Sequence, residues 1–324
     1  MKKLKKIGLV VALIALCAMQ VFAGGSSESG ESAKTTYTVG ICQLVQHEAL
    51  DAATQGFKDA LVAEFGDSVT FMEGNASGDS ATCITIVNGF VSANVDLIMA
   101  NATASLQAAQ AATGDIPILG TSITDYGTAL GVSDFSGVTG TNISGTSDLA
   151  PLDQQAEMIM ELFPQTKKVG LLYCSAEANS SYQVNTIRAI LEAKGVECKD
   201  FAFADSNDVA SVAENACSWS DVIYIPTDNT AASCTQTIRN IVEPNKTPVI
   251  AGEEGICKGC GVATLSISYY DLGVKTGEMA ASILKGEANV ASMPIQYSPG
   301  FTKEYNAELC AILGVSVPSD YKAI

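Results

Sequence analysis

Histidine is almost missing from this chain: 324 residues contain one, His47. A single His excludes a His-based metal cluster and any active site built on two imidazoles. Charge is scarce too, at 16% of residues against the roughly 25% usual in soluble domains. The shortage is mostly of cations, with 18 Lys and Arg facing 35 Asp and Glu for a formal charge of −17. Without clustered basic residues the chain has no means of neutralising phosphates, so a general nucleic-acid binder is excluded. No apolar run is long enough to cross a bilayer as a helix, which takes ~20 residues; Ile7 to Met19 has 13. What is present is 47% apolar residues, ample for a core, in a length that suggests about two domains.

Lys2, Lys3, Lys5 and Lys6 precede the apolar run, and Val21-Phe22-Ala23 places small or apolar residues before Gly24. This is the pattern of an export signal over residues 1–23. Cys17 offers lipoprotein processing as a rival, against which the bulky Leu16 stands. Cleavage after Ala23 removes four lysines and no acid, taking the formal charge from −17 to −21. Residues 24–35, GGSSESGESAKT, carry no apolar periodicity and read as a flexible tether.

From Tyr37 onward short β-branched runs alternate with helix-length amphipathic stretches, which predicts an α/β fold with parallel sheets. Strands are expected at 38–42, 69–72, 97–100 and 116–119, then at 169–174, 196–203, 222–225 and 248–250. Leu50, Ala53, Phe57, Ala60, Leu61 and Phe65 form a 3.6-residue stripe that predicts a helix over 47–65. The halves also overlay. Val39-Gly40-Ile41 matches Val169-Gly170-Leu171, Asp96-Leu97-Ile98 matches Asp221-Val222-Ile223, and Ile116-Pro117-Ile118 matches Thr247-Pro248-Val249. The shared order implies two Rossmann-like lobes.

In such sheets ligands sit beyond the carboxyl ends of the strands. The loops there are 43–47, 101–105 and 121–125 in the first lobe, and 175–181, 226–230 and 251–254 in the second. They are rich in hydroxyls and amides and several open helices, whose free N–H groups suit an anion.

Four strings, Gln43…His47-Glu48-Ala49-Leu50-Asp51, Ser175-Ala176-Glu177-Ala178-Asn179-Ser180 with Gln183-Val184, Pro226-Thr227-Asp228-Asn229-Thr230, and Tyr269-Tyr270-Asp271-Leu272-Gly273, resemble the substrate-binding proteins of ABC importers. The resemblance runs from about Tyr37 to Pro318 and is strongest to the subgroup associated with tryptophan and other aromatic amino acids. It implies a type I periplasmic binding protein: two lobes joined by three crossing segments that close on a ligand, acting as a monomer with an ABC permease and without a cofactor. The crossings are expected near 146–151, 263–268 and 293–297. Lobe 1 would then hold 36–147 plus 268–294, and lobe 2 would hold 148–265 plus 297–324.

For an amino-acid ligand, Thr103, Ala104, Ser105 and Thr121, with Asn179 and Ser180 opposite, are candidates to hold the carboxylate. Asp228 is the candidate for the ammonium, flanked by Thr227 and Asn229, with Glu253 on the next loop and Gln43 completing the polar shell. Tyr126, Tyr182 and Tyr269 are candidates for an aromatic wall. Three positions depart from the family pattern: Glu48, Ser105 and Tyr126 stand where Pro is common. The last two fall on ligand loops, which leaves a sugar or nucleoside open as the ligand, and a sensing rather than transporting role open as well. No enzyme is expected, since Glu253 and Glu254 are adjacent and Asp228 lacks an acid–base partner. Nine cysteines follow the signal; Cys42, Cys174 and Cys217 read as buried hydrophobes. Cys257-Lys258-Gly259-Cys260 is compatible with a local disulfide, free thiols, a redox pair or half a zinc site.

Overall fold

The computed structural model describes residues 36–324. The expected export signal and tether, 1–23 and 24–35, lie outside the described residues.

The first sheet is built from β1 (Tyr37–Gln43), β2 (Val69–Asn75), β3 (Leu97–Asn101), β4 (Ile118–Ile123) and β5 (Ile143–Ser147). Its helices are α1 (Glu48–Phe65), α2 (Ser80–Ser92), α3 (Thr103–Ala112) and α4 (Tyr126–Leu130). The chain then crosses into α5 (Leu152–Leu162), β6 (Lys168–Cys174), α6 (Ala178–Ala193), β7 (Glu197–Phe203), α7 (Val209–Trp219) and β8 (Val222–Ile225). Next come α8 (Asn229–Ser233), α9 (Thr235–Val242), β9 (Val249–Ala251), α10 (Glu254–Cys260) and β10 (Ala263–Ser266). It returns through α11 (Tyr269–Leu284) and β11 (Gln296–Tyr297), and ends in β12 (Thr302–Tyr305), α12 (Ala307–Leu313) and β13 (Lys322–Ala323).

The strand order is β11-β5-β4-β3-β1-β2 in the first sheet and β13-β12-β10-β9-β8-β6-β7 in the second. All pairings are parallel except β10 with β12. Each central trio reads alike, β4-β3-β1 and β9-β8-β6, which is the duplicated Rossmann-like unit that the matched strings imply. This is the α/β architecture of a type I periplasmic binding protein.

The eight expected strands are all present. Two that join the crossings, β5 and β10, were not expected as strands. Their sequences, ISGTS and ATLS, are short and small-polar, and every residue is buried, so no alternation marks them. β11 pairs with β5 through Gln296↔Thr146 and Tyr297↔Ser147. The first sheet therefore continues to Tyr297, past residue 294, and the chain leaves it in 298–301.

α11 packs back onto α1 of the first lobe. The contact is close because glycines form it: a Cβ at Gly273 would overlap the Ala53 carbonyl oxygen, and one at Gly56 would overlap that of Tyr270. Beneath them Phe57, Leu61, Val39, Ile41, Met99 and Leu119 are fully buried.

The nine described cysteines are free thiols. Cys257 and Cys260 belong to the second lobe's core with Ile225 and Val249, and the Cys260 thiol donates to Ile256 O at 3.4 Å. Among the described residues no group of three or more His, Cys, Asp or Glu could hold a metal. Nor is any described helix long and apolar enough to cross a membrane.

Candidate functional site

The carboxyl ends of both sheets face each other, and the loops they carry enclose a cleft of about 230 Å³. From the first lobe come Leu44, Val45, Gly78, Asp79 and Ala104; from the second, Cys174, Glu177, Asp205, Asn229 and Thr230. Three of the lining residues are carboxylates and none is Lys or Arg. A larger cavity of about 370 Å³ lies along the crossing segments, between Glu48, Glu253, Lys258, Tyr269 and Glu304. Its charges are satisfied by one another, through Glu48–Lys258, Glu254–Lys258 and Glu304–Lys322. The interlobe cleft is the better candidate.

Glu177 organises the second-lobe wall. Its carboxylate accepts from Asn229 N at 3.0 Å, Asn229 Nδ2 at 2.7 Å, Thr230 N at 2.8 Å, Thr230 Oγ1 at 2.8 Å and Asn179 Nδ2 at 3.2 Å. An acid at a helix start suits both the free N–H groups and the helix dipole. Asp228 lies behind it, fully buried, accepting from Ala231 N at 2.8 Å and Cys174 N at 2.6 Å. Burial, then the neighbouring Glu177 charge, push the Asp228 carboxyl up to about 8. Both its oxygens accept from backbone N–H groups, and the expected ammonium anchor is not among the residues that line the cleft. Thr227 is drawn into the same scaffold: its N–H donates to Gln183 Oε1 at 3.1 Å and its hydroxyl to Gly252 O at 3.3 Å. Asn179 Nδ2 also donates to Thr227 O at 3.1 Å, and Ser180 is fully buried beside it.

Of the first-lobe candidates, Ala104 lines the cleft and Thr103 lies buried at the start of α3. Four others point elsewhere. Gln43 ties β1 to α1, donating to Asp51 Oδ1 at 2.7 Å and accepting from Thr54 at 2.6 Å. Ser105 is fully buried beside Cys42 and Cys83, at 3.6 and 3.5 Å. Thr121 meets Thr146 at 3.2 Å inside the lobe. The Tyr126 hydroxyl donates to Gly120 O at 3.1 Å and Thr146 O at 3.2 Å, which holds the ring in the core. Glu253 caps α10 through Gly255 N and Ile256 N and lies on the larger cavity; burial raises it to about 7. Tyr182 is half-buried on α6, which packs against α4 across the lobes. Tyr269 donates its hydroxyl to Asp148 Oδ2 at 2.9 Å.

Three residues in this region had no assigned role in the sequence reading. Glu177 stands inside a quoted string but reads there as one polar residue among several. Ser122 lies in the strand-end loop 121–125 and Asp148 on the crossing 146–151, but neither stands out there as a ligand contact; Ser122 takes a left-handed backbone, φ 55°, that its identity does not demand.

The lobes touch at the start of α1, through two adjacent residues. His47 Nε2 meets Asn229 Oδ1 at 3.2 Å, and Lys258 pairs with Glu48.

Comparison with known proteins agrees with this architecture. Residues 38–321 match the family model for ABC transporter substrate binding protein. A tyrosine-binding protein of Clostridioides difficile is 36% identical over 278 residues, 84% of this chain and 80% of that one. The structure of an ABC domain from Streptococcus pneumonia in complex with L-Trp superposes with a TM-score of 0.84 at 31% identity, covering 89% of this chain and all of that one. A ligand-free, open substrate-binding protein with adhesive properties from Clostridium difficile, at 36% identity and covering 89% of this chain and 99% of that one, gives a TM-score of 0.67. The more identical sequence is the poorer superposition of the two, which matches lobes that already meet through His47 and Asn229. The chain belongs to the ABC transporter substrate-binding protein family.

Proposed function

We propose that the chain is the extracytoplasmic solute-binding component of an ABC importer, that it takes an aromatic amino acid between its lobes, and that it delivers the amino acid to the permease. The observation that carries the ligand class is the interlobe cleft, with Asp79, Glu177 and Asp205 on its walls and no Lys or Arg. Such a field favours a ligand bearing an ammonium and opposes phosphates and dicarboxylates. Binding of L-Trp and of tyrosine by the two relatives supports the same class. Hinge closure around the ligand is the motion such lobes provide. The export signal over 1–23 would carry the chain across the membrane, and the tether over 24–35 would then begin the mature chain.

A thermal-shift screen of the twenty amino acids against sugars and nucleosides tests this reading. A ligand at 100 times its Kd stabilises the native state by about 2.7 kcal/mol. Stabilisation by L-Tyr, L-Trp or L-Phe is expected; stabilisation by sugars or nucleosides alone overturns the amino-acid assignment.

A further inference from the structure

Five carboxylates are buried in the described residues: Asp148, Glu177, Asp228, Glu253 and Glu304. Glu177, Asp228 and Glu253 each have both oxygens occupied by backbone N–H donors, at helix starts and, for Asp228 Oδ2, at the end of β6. Glu304 faces Lys322 at 3.5 Å. Asp148 differs. It is 4% exposed, its Oδ2 accepts from Tyr269, and its Oδ1 has no hydrogen-bond partner. A buried charged oxygen without a partner is costly and calls for a role.

The place of Asp148 in the fold supplies one. It is the first residue beyond β5, on the crossing between lobes, and its N–H donates to Ile123 O at the carboxyl end of β4 at 3.2 Å. One residue before Ile123 stands Ser122, 7% exposed, whose hydroxyl is also unpartnered. Two of the molecule's buried orphan oxygens thus sit at adjacent strand ends, where a ligand of this fold is received. The Thr124 hydroxyl from the β4 end and the Tyr269 hydroxyl from α11 both steady the Asp148 carboxylate, and Tyr126, Tyr297 and Glu253 lie within electrostatic reach of this cluster. Tyr297 also lies near Tyr182 of the opposite lobe. No cation pairs with Asp148 among the described residues.

We infer that Asp148 Oδ1 and Ser122 Oγ form the headgroup subsite of the ligand, Asp148 accepting its ammonium and Ser122 donating to its carboxylate. A cation against a lone carboxylate oxygen makes a charge-assisted bond, the stronger kind. The inference rests on the amino-acid reading above and replaces Asp228 as the anchor.

Calorimetric titration of the wild-type chain with L-tyrosine, L-tryptophan and the deaminated analogue 3-(4-hydroxyphenyl)propanoate tests it. Wild type should prefer the amino acids by about tenfold or more. Asp148→Asn should abolish that preference, and Ser122→Ala should weaken the amino acids while leaving the preference for an ammonium intact. Retention of the full preference by Asp148→Asn overturns the anchor and leaves the binding function standing. Failure of the wild type to bind any amino acid overturns both, and that titration alone separates the two failures. A measurement on the wild type covers the case of a variant that does not fold. Burial holds the Asp148 carboxyl up at about 6, so an arriving ammonium must expel its proton. Titrations at pH 6 in buffers of different ionisation enthalpy should show proton release on binding, and those at pH 8 none. Absence of release at pH 6 overturns the proposal.

Discussion

His47 and Asn229 meet across the lobes at 3.2 Å, the first from the loop after β1 and the second from the start of α8. Asn229 is also held by Glu177, so the residue that closes the interface is the residue that lines the cleft. Closure and the cleft wall are thereby one hydrogen-bonded unit.

His47→Ala should therefore weaken ligand binding by about 1 kcal/mol, the usual net worth of one such bond. Glu48→Ala removes the neighbouring pair with Lys258, whose side chains are 57% and 38% exposed, and should cost at most ~1 kcal/mol. Both losses should appear as faster dissociation in stopped-flow fluorescence, with unfolding midpoints unchanged. An unchanged dissociation rate in both variants would show that neither contact contributes to closure.

Stability should fall as pH rises from about 5 to about 8. Asp148, Glu253 and Asp228 are held at about 6, about 7 and about 8 by burial. The native state keeps protons there that the unfolded chain, with carboxyls near ~4, has released. Where the native state binds more protons, unfolding becomes easier as pH rises. His47 works the other way, since burial lowers it and the native state disfavours its charge below about 6.5. Calorimetric melts at pH 5, 6.5 and 8 check the sign, and Asp228→Asn should flatten the upper part of the curve. A melting temperature that rises steadily from pH 5 to pH 8 would contradict it.

The α1–α11 contact should tolerate no side chain at Gly273. Gly273→Val places a branched Cβ against the Ala53 carbonyl and should destabilise by several kcal/mol, a value reserved for backbone overlap in a core. Gly286→Ala, an exposed position with nothing near, is the control, limited to the smaller strain of its φ of 73°. Urea unfolding of the two variants measures the difference.

Thiol titration should divide the cysteines into two sets. A chain starting at Thr36 should show nine thiols in denaturant. Under native conditions Cys198, Cys217 and Cys234, the half-buried ones, should react first with Ellman's reagent. The other six are buried and should wait for unfolding. Burial raises Cys198 to about 11, so its reaction should be slow at neutral pH. Fewer than nine thiols in denaturant would show a disulfide.

Much of the architecture is legible from local pattern. Val39-Gly40-Ile41 and Val169-Gly170-Leu171 announce their strands because each is a short apolar run with turn residues at its ends. The stripe from Leu50 to Phe65 announces α1, although the helix begins at Glu48 with His47 as its cap. The site was less legible. Tyr126, Thr121 and Ser105 sit on the right loops, yet whether such a side chain turns to the cleft or the core depends on neighbours far along the chain. Tyr126 is held by Gly120 O and Thr146 O, and Ser105 lies between Cys42 and Cys83. Asp228 looked like a free carboxylate, but Ala231 N and Cys174 N take both its oxygens.

Sequence alone determined what depends on composition and periodicity: the α/β class, the doubled lobe, the acidic balance and the strand-end loops that bear the site. Those are summed local preferences, which need no knowledge of distant partners. Tertiary structure decided which hydrogen-bonding groups are spent and which are left. Asp148 and Asp228 are the same residue type on comparable loops, and only the placement of donors around each, brought together by folding, leaves Asp148 with an unpartnered oxygen.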